Sequence, residues 1–293
     1  MATAYTALFN WVYPDIAFPP PADLVTNAIR DSVIELCEEA LIYRQELQQI
    51  LVLGDTSTTT SATAASGATA ITVDSISNFS DGDTITVELE DGTKWRGHVS
   101  GTPAGSTINL DGALPDDVES GATVTKLVYL YTMTLPSGTA VAKGLKAWLN
   151  DNVIEPISED DLDTEFNNTD FGWVGVNWRT DVKLPTRWYI QDDGTVGLAL
   201  APNATGALRI LCALKPTRAS TSFPTWIYER YVNVIAHGAK AKLMEVPKKP
   251  YSDPQLAGYH MGKFHDGVSE ARLRSAKSAT RAPLRTHTVF GLR

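Results

Sequence analysis

Residues 19–50 read PPPADLVTNAIRDSVIELCEEALIYRQELQQI, and their periodicity decides how the chain is read. Ile29, Val33, Leu36, Ala40, Tyr43, Leu47 and Ile50 recur at steps of 4, 3, 4, 3, 4 and 3. That is the period of a helix with one apolar stripe. Pro21 suits the first turn, where its missing N–H has no helical acceptor to lose. Asp23 places negative charge at the positive end of the helix dipole. Arg30, Glu38, Arg44 and Gln45 fall on the opposite face. The spacing predicts a helix over 22–51, packed on one side only.

A helix with a single stripe needs partners, and the far end of the chain supplies two. Phe223-Pro224 precedes TWIYERYVNVIAHGAKAKLMEVP, where Ile227, Tyr231, Val234, Gly238 and Ala241 keep helical spacing. This predicts a helix over 224–246. Gly238 and Ala241 are small enough for a neighbouring backbone to come close. Pro247-Lys248-Lys249-Pro250 stops it. Ser252-Asp253-Pro254 then opens another helix, over 253–279, with a capping residue ahead of an N1 proline. The last stretch, RAPLRTHTVFGLR, has no helical period and is expected to be an extended arm over 280–293.

The middle of the chain changes register. Residues 55–70 are rich in Ser, Thr, Ala and Gly, carry no charge after Asp55, and read as a linker, with an ordered threonine-rich strand possible for part of it. Residues 71–128 alternate in short runs punctuated by Asp-Gly at 81–82, 91–92 and 111–112. Asp-Gly supplies the positive φ that primed hairpin turns need. The expectation is a small β-barrel or sandwich inserted between helices. Its inward set is Ile71, Val73, Ile85, Val87, Leu89, Val99, Ile108, Leu110 and Val124. Residues 129–222 form a second β-rich unit. LKAWLNDNVIEPIS reads as a strand pair around Asn-Asp-Asn, EDDLDTEF as one or two helical turns capped by Ser158, and WYIQDDGTVGLALAP with ALRILCALKPT as a hairpin and a following strand. NNTDFGWVGVNW, residues 167–178, reads as a loop that packs its rings locally.

The fold class is therefore α+β: a helical bundle, a β-rich middle, an inserted β module and a C-terminal arm. The expected segments are 1–54 (N-terminal stretch and long helix), 55–70 (linker), 71–128 (inserted module), 129–222 (β-rich unit), 223–279 (C-terminal helices) and 280–293 (arm).

Composition sets further bounds. Of 293 residues, 43% are hydrophobic, which is enough for a packed core. No run approaches the roughly 18 apolar residues a bilayer crossing needs. The N-terminus has no basic flank ahead of an apolar stretch, so no secretory signal is expected. Cys37 and Cys212 lack zinc spacing and read as small buried hydrophobes in a reducing cytoplasm. The net charge is −9, but residues 237–293 hold 11 basic and 4 acidic residues, leaving −16 on residues 1–236. An acidic body argues against a general nucleic-acid binder, while its basic end can dock on an acidic partner.

Little in the sequence carries chemistry. No GxSxG, HExxH, GxxxxGK[ST], GxGxxG or CxxC is present. His260 and His265 are five apart, whereas a helical metal pair wants four. The acids 159–161 lack the glycine turn and distal glutamate of a calcium loop. Asp192 and Asp193 sit beside Gly194 in a turn pattern. Seven tryptophans raise the alternative of a carbohydrate- or receptor-binding tail module built on a tryptophan-rich β surface. No cofactor, metal or catalytic residue is expected.

A β hairpin ending in ALKPT leads into the Pro-Thr-Trp-Ile-Tyr-Glu-Arg-Tyr helix. The segment KPYSDPQLAGYHMGKFHDGVSEAR follows at 249–272. This pattern resembles the head-to-tail adaptor (connector or neck) proteins of tailed bacteriophages. The long N-terminal helix after prolines and the strand-rich middle with EPISEDDLD agree with it. The resemblance implies a non-enzymatic virion protein, present in the host cytoplasm during assembly. It implies a homo-oligomeric ring, commonly twelve-fold, whose partners are the portal protein and a downstream neck, tail or tail-fibre protein. It implies that DNA passes through the lumen without sequence-specific binding and that no membrane partner is involved. A C-terminal arm reaches the portal. On the residues, its contacts are expected at Arg281, Leu284, Arg285, Val289, Phe290 and Leu292, with the arginines pairing with carboxylates and the apolar side chains filling pockets.

Overall fold

The structure, a computed structural model, describes residues 2–51, 57–167, 182–191 and 193–277. The arm expected at 280–293, all of 167–178 beyond Asn167, and Asp192 of the expected turn lie outside the described residues. From the N-terminus the elements are β1 (Ala2–Ala4), α1 (Phe9–Val12), α2 (Ala22–Ala40), β2 (Arg44–Leu51), β3 (Ser57–Thr59), β4 (Ala70–Thr72), β5 (Thr84–Glu88), β6 (Lys94–His98), β7 (Thr107–Asn109), β8 (Thr123–Lys126), β9 (Leu130–Thr132), β10 (Thr139–Leu149), β11 (Asn152–Pro156), α3 (Glu159–Asn167), β12 (Arg187–Ile190), β13 (Thr195–Ala199), β14 (Gly206–Pro216), β15 (Ser222–Pro224), α4 (Thr225–Met244) and α5 (Pro254–Lys277).

The fold is α+β, and it falls into two compact units. One is built from the described residues of 1–46, 135–143 and 211–293, the other from those of 47–134 and 144–210. A seven-stranded sheet has the order β2-β14-β10-β11-β12-β13-β9, and the chain passes from one unit to the other along β2, β14 and β10.

The first unit is helical. The α2 stripe is buried as its period requires, with Ile29, Val33 and Leu36 fully enclosed. It shares a core with Ile227, Ile235 and Ala239 of α4 and with Phe264, Val268 and Ala271 of α5. Tyr5, Leu8 and Val12 close the same core, and the Tyr5 ring stacks on Phe223 at 5.2 Å between centroids. Ion pairs tie the elements together: Lys242 to Glu35 and Lys215 to Glu38, each at 2.6 Å. α5 begins as the sequence implied, with Pro254 at N1 and the Leu256 N–H donating to Asp253 Oδ1 at 3.0 Å.

The helix expected over 22–51 is shorter than its periodicity suggested. α2 stops at Ala40 because Leu41 adopts a left-handed conformation (φ 49°) while its N–H still reaches the Cys37 carbonyl at 3.1 Å. The chain then straightens into β2, and the Leu214 N–H donates to the Tyr43 carbonyl at 2.7 Å. Leu47 is buried there, but Ile50 is 63% exposed, so the last step of the apparent stripe is not a core position.

The second unit contains the β module. Its sheets have the orders β3-β8-β5-β6 and β4-β7. All nine residues of the expected inward set lie in one core, joined by Phe79, Leu114 and Val118. The described part of the 55–70 tract is built into this module and does not behave as a linker. β3 pairs with β8, the Thr60 N–H donates to Ala122 O at 2.9 Å, and the Ala64 N–H donates to Val118 O at 2.9 Å. β-branched threonines suit a pleated, half-buried surface as well as they suit a solvated tract. Gly82 and Gly92 have positive φ (82° and 78°), as the Asp-Gly turns demand. The third pair works differently: Asp111 Oδ1 accepts the His98 N–H at 2.8 Å.

In the rest of this unit, β10 and β11 form an antiparallel hairpin around Asn150 and Asp151, both at positive φ (49° and 66°). β11 runs parallel to β12, and β12 and β13 form the expected hairpin. Ser158 caps α3: its hydroxyl accepts the Asp161 N–H at 3.2 Å and donates to Asp161 Oδ2 at 2.6 Å.

Candidate functional site

All six residues expected to contact a partner, Arg281, Leu284, Arg285, Val289, Phe290 and Leu292, lie outside the described residues. What is described is the end of α5, from which the chain leads to them. A surface cavity of 690 Å³ opens there. Its apolar lining is Ile42, just beyond α2, with Trp226 and Tyr231 of α4 and Leu273 of α5. Trp226 is 37% and Leu273 59% exposed, so apolar surface faces solvent at this end. α4 departs from helical geometry at Tyr231 (φ −124°, ψ 16°), within the same lining.

The charged lining is one-sided: Arg44, Arg230, Arg274 and Lys277 against the single acid Glu270. Glu270 already receives Arg274 at 3.2 Å along the helix. Arg44 Nε donates to the Leu41 carbonyl at 3.1 Å, and no carboxylate pairs with Arg230 among the described residues. The cavity thus joins apolar surface to a lining rich in basic side chains.

A polar cluster lies elsewhere in the helical unit. His237 of α4 and His260 of α5 meet Nδ1 to Nδ1 at 2.8 Å. One ring must donate and the other accept, so the two cannot both be protonated at these nitrogens. His260 is 4% exposed, and its Nε2 is buried with no hydrogen-bond partner among the described residues. A bare acceptor is cheaper to bury than an orphan N–H, which assigns the proton of His260 to Nδ1. Burial pushes both imidazoles below the usual histidine range; the nearby Lys240 ammonium acts in the same direction and Asp15 opposes it. Lys240, itself buried, donates to Asp15 Oδ2, and that hydrogen bond holds the Asp15 carboxyl below the usual range. The cluster staples α4 and α5 to the segment after α1. Sequence reasoning weighed His260 against His265 and missed this pair, because its members are 23 residues apart on two helices.

The remaining candidates have structural roles. Cys37 and Cys212 are buried free thiols, pushed up by burial to about 12 and about 11. They are the weak hydrophobes the spacing implied. Trp188 is 1% exposed and belongs to the core. Trp148 lies under the Lys146 ammonium at 5.1 Å and the Arg209 guanidinium at 5.5 Å. Trp173 and Trp178 lie outside the described residues. Asp193 is held below the usual carboxylate range by the Thr195 N–H at 2.7 Å, the signature of a turn. Among the described residues no group of three or more His, Cys, Asp or Glu is placed to hold a metal ion, and no helix is long and apolar enough to cross a membrane.

The described residues of the helical unit expose an apolar and basic surface at the end of α5. The family model for the SU10 adaptor protein matches residues 132–287. The chain belongs to that family, a phage head-to-tail adaptor family that is structural and not catalytic. The match contains the segment 249–272 on which the likeness rested. A search of curated proteins returned no match.

Proposed function

We propose that the chain is the adaptor that joins the portal of a tailed phage to its neck or tail. Copies close into a ring, twelve-fold by analogy with such adaptors, and DNA passes through the lumen. The helices α2, α4 and α5 build the ring body. The arm 280–293 engages the portal through Arg281, Leu284, Arg285, Val289, Phe290 and Leu292. Other regions of the chain receive a downstream neck, tail or tail-fibre protein.

The observation that carries this reading is the family match, which takes in α4, α5 and the chain as far as Arg285 and His287. Physical chemistry supports the details. Like chains forming a closed ring use heterologous contacts, which need two different patches on each copy. An acidic body repels duplex DNA, which carries one charge per roughly 1.7 Å, and keeps it mobile in a channel.

The test is deletion of 280–293. The truncated chain is expected to keep the far-UV circular dichroism of the helical unit while failing to co-sediment with DNA-filled, portal-bearing heads. Normal mounting of the truncated chain refutes the role of the arm.

A further inference from the structure

We infer that the cavity at the end of α5 receives the proline-rich stretch Phe18–Leu24 of a neighbouring copy. The inference rests on the ring reading above and names the contact that closes the ring.

The occupant follows from charge and apolar surface. The cavity presents four basic residues to one acid, and that acid is already paired. The chain's own continuation cannot complement it: residues 278–293 carry Arg281, Arg285 and Arg293 and no Asp or Glu. Like charges of this number at close range oppose docking. The N-terminal stretch has the opposite character. Residues 1–29 contain Asp15 and Asp23 and no Lys or Arg. Lys240 holds Asp15 within its own chain, which leaves the Asp23 carboxylate for a second molecule. Among the described residues Arg230 pairs with no carboxylate, and it and Asp23 are of opposite charge and make a complementary pair.

The apolar complement is equally specific. Phe18 is 60% and Leu24 43% exposed, so the copy that carries them does not bury them. The cavity offers Trp226, whose ring meets Tyr43 edge-on at 6.4 Å, and the 59% exposed Leu273. Between Phe18 and Leu24 stand Pro19, Pro20 and Pro21, whose rings fix φ near −65°. Such a stretch is ordered before it binds, so docking costs little conformational entropy, and aromatic-lined grooves recognise it. The two patches are different surfaces of one chain. Their union is heterologous and propagates around a ring, whereas a self-complementary patch would stop at a dimer.

The test uses full-length chains with single cysteines at exposed positions, Phe18→Cys in one preparation and Leu273→Cys in another. Cys37 and Cys212 are buried and give little background. The variants are mixed in equal amounts, added to portal-bearing heads and oxidised. The expected result is a disulfide-linked pair of chains in the mixture, at least tenfold above either variant alone. A second arm uses Asp23→Arg and Arg230→Glu. Each alone is expected to reduce mounted rings at least tenfold, and the double variant, which restores the pair in reversed sense between copies, to recover them. Rings that mount without the cross-link overturn the inference and leave the ring reading intact. A cross-link from Leu273→Cys to the portal overturns it in favour of a portal segment. If no rings assemble from the unsubstituted chain, the ring reading fails and the inference falls with it.

Discussion

Gly238 sits where α2, α4 and α5 pack together, and its substitution tests that packing sharply. A Cβ built there would lie 2.7 Å from Phe264 Cδ2 and 2.8 Å from Ser32 Oγ. Both neighbours are fully buried, and Ser32 is tethered by its hydroxyl to the Ala28 carbonyl at 2.8 Å. Neither can yield the several tenths of an ångström an ordinary contact requires without moving α5 or α2. Overpacking of this kind costs about 1–3 kcal/mol. The better helix propensity of alanine returns up to about 1 kcal/mol. Gly238→Ala is therefore expected to destabilise the helical unit by about 1–2 kcal/mol. Gly258→Ala and Gly262→Ala on α5 are the controls, since a Cβ at either meets nothing within 4 Å. They gain the propensity without the clash and are expected to stabilise by up to about 1 kcal/mol each. The assay is urea unfolding followed at 222 nm, with midpoints compared at constant slope. A Gly238→Ala chain as stable as its controls would show that α2, α4 and α5 do not meet as described.

Two further outcomes follow. At Leu41 the left-handed backbone penalises a β-branched side chain most, so Leu41→Val is expected to be less stable than Leu41→Gly by roughly 1–2 kcal/mol, read by the same unfolding curves. The His237–His260 pair gives a pH signature. Burial lowers both folded-state values beneath the unfolded value of about 6.5, so the unfolded chain takes up protons first as pH falls. The pair's contribution is thus complete above pH ~6.5 and is lost progressively below it. Asp15, Lys240 and Lys263 face the rings, and the hydrogen bond from Lys240 holds the Asp15 carboxyl below its usual range. His260→Leu is expected to flatten the fall in urea midpoint between about pH 7.5 and 5.5, and an unchanged slope refutes the assignment.

Different parts of the fold were legible for different physical reasons. The β module was readable almost residue by residue. Alternation of period two and Asp-Gly turns at Gly82 and Gly92 are local signals, and all nine inward positions pack in its core. Caps were readable too, because Ser158 and Asp253 act on backbone groups three residues away. The end of α2 was not. Tyr43, Leu47 and Ile50 continue the stripe by coincidence, and the stop is a left-handed leucine, a residue with no preference for that conformation. The threonines after residue 56 carry the composition of a linker and the geometry of β3, and only their pairing with β8 tells these apart. The candidate site was legible only in its chemistry. The basic C-terminal end and the absence of catalytic motifs were visible in the sequence. The cavity was not, because it brings Ile42, Trp226 and Leu273 together from three separate stretches of the chain.

The proposed function requires copies of this chain to seat beside one another on the portal. Electron microscopy of purified chain mixed with purified portal, with rotational averaging of the particles, tests it most directly. A second annulus of closed, cyclically arranged copies beneath each portal is expected. Portals left bare, with the chain remaining a single copy at concentrations far above those of an assembling phage, contradict it.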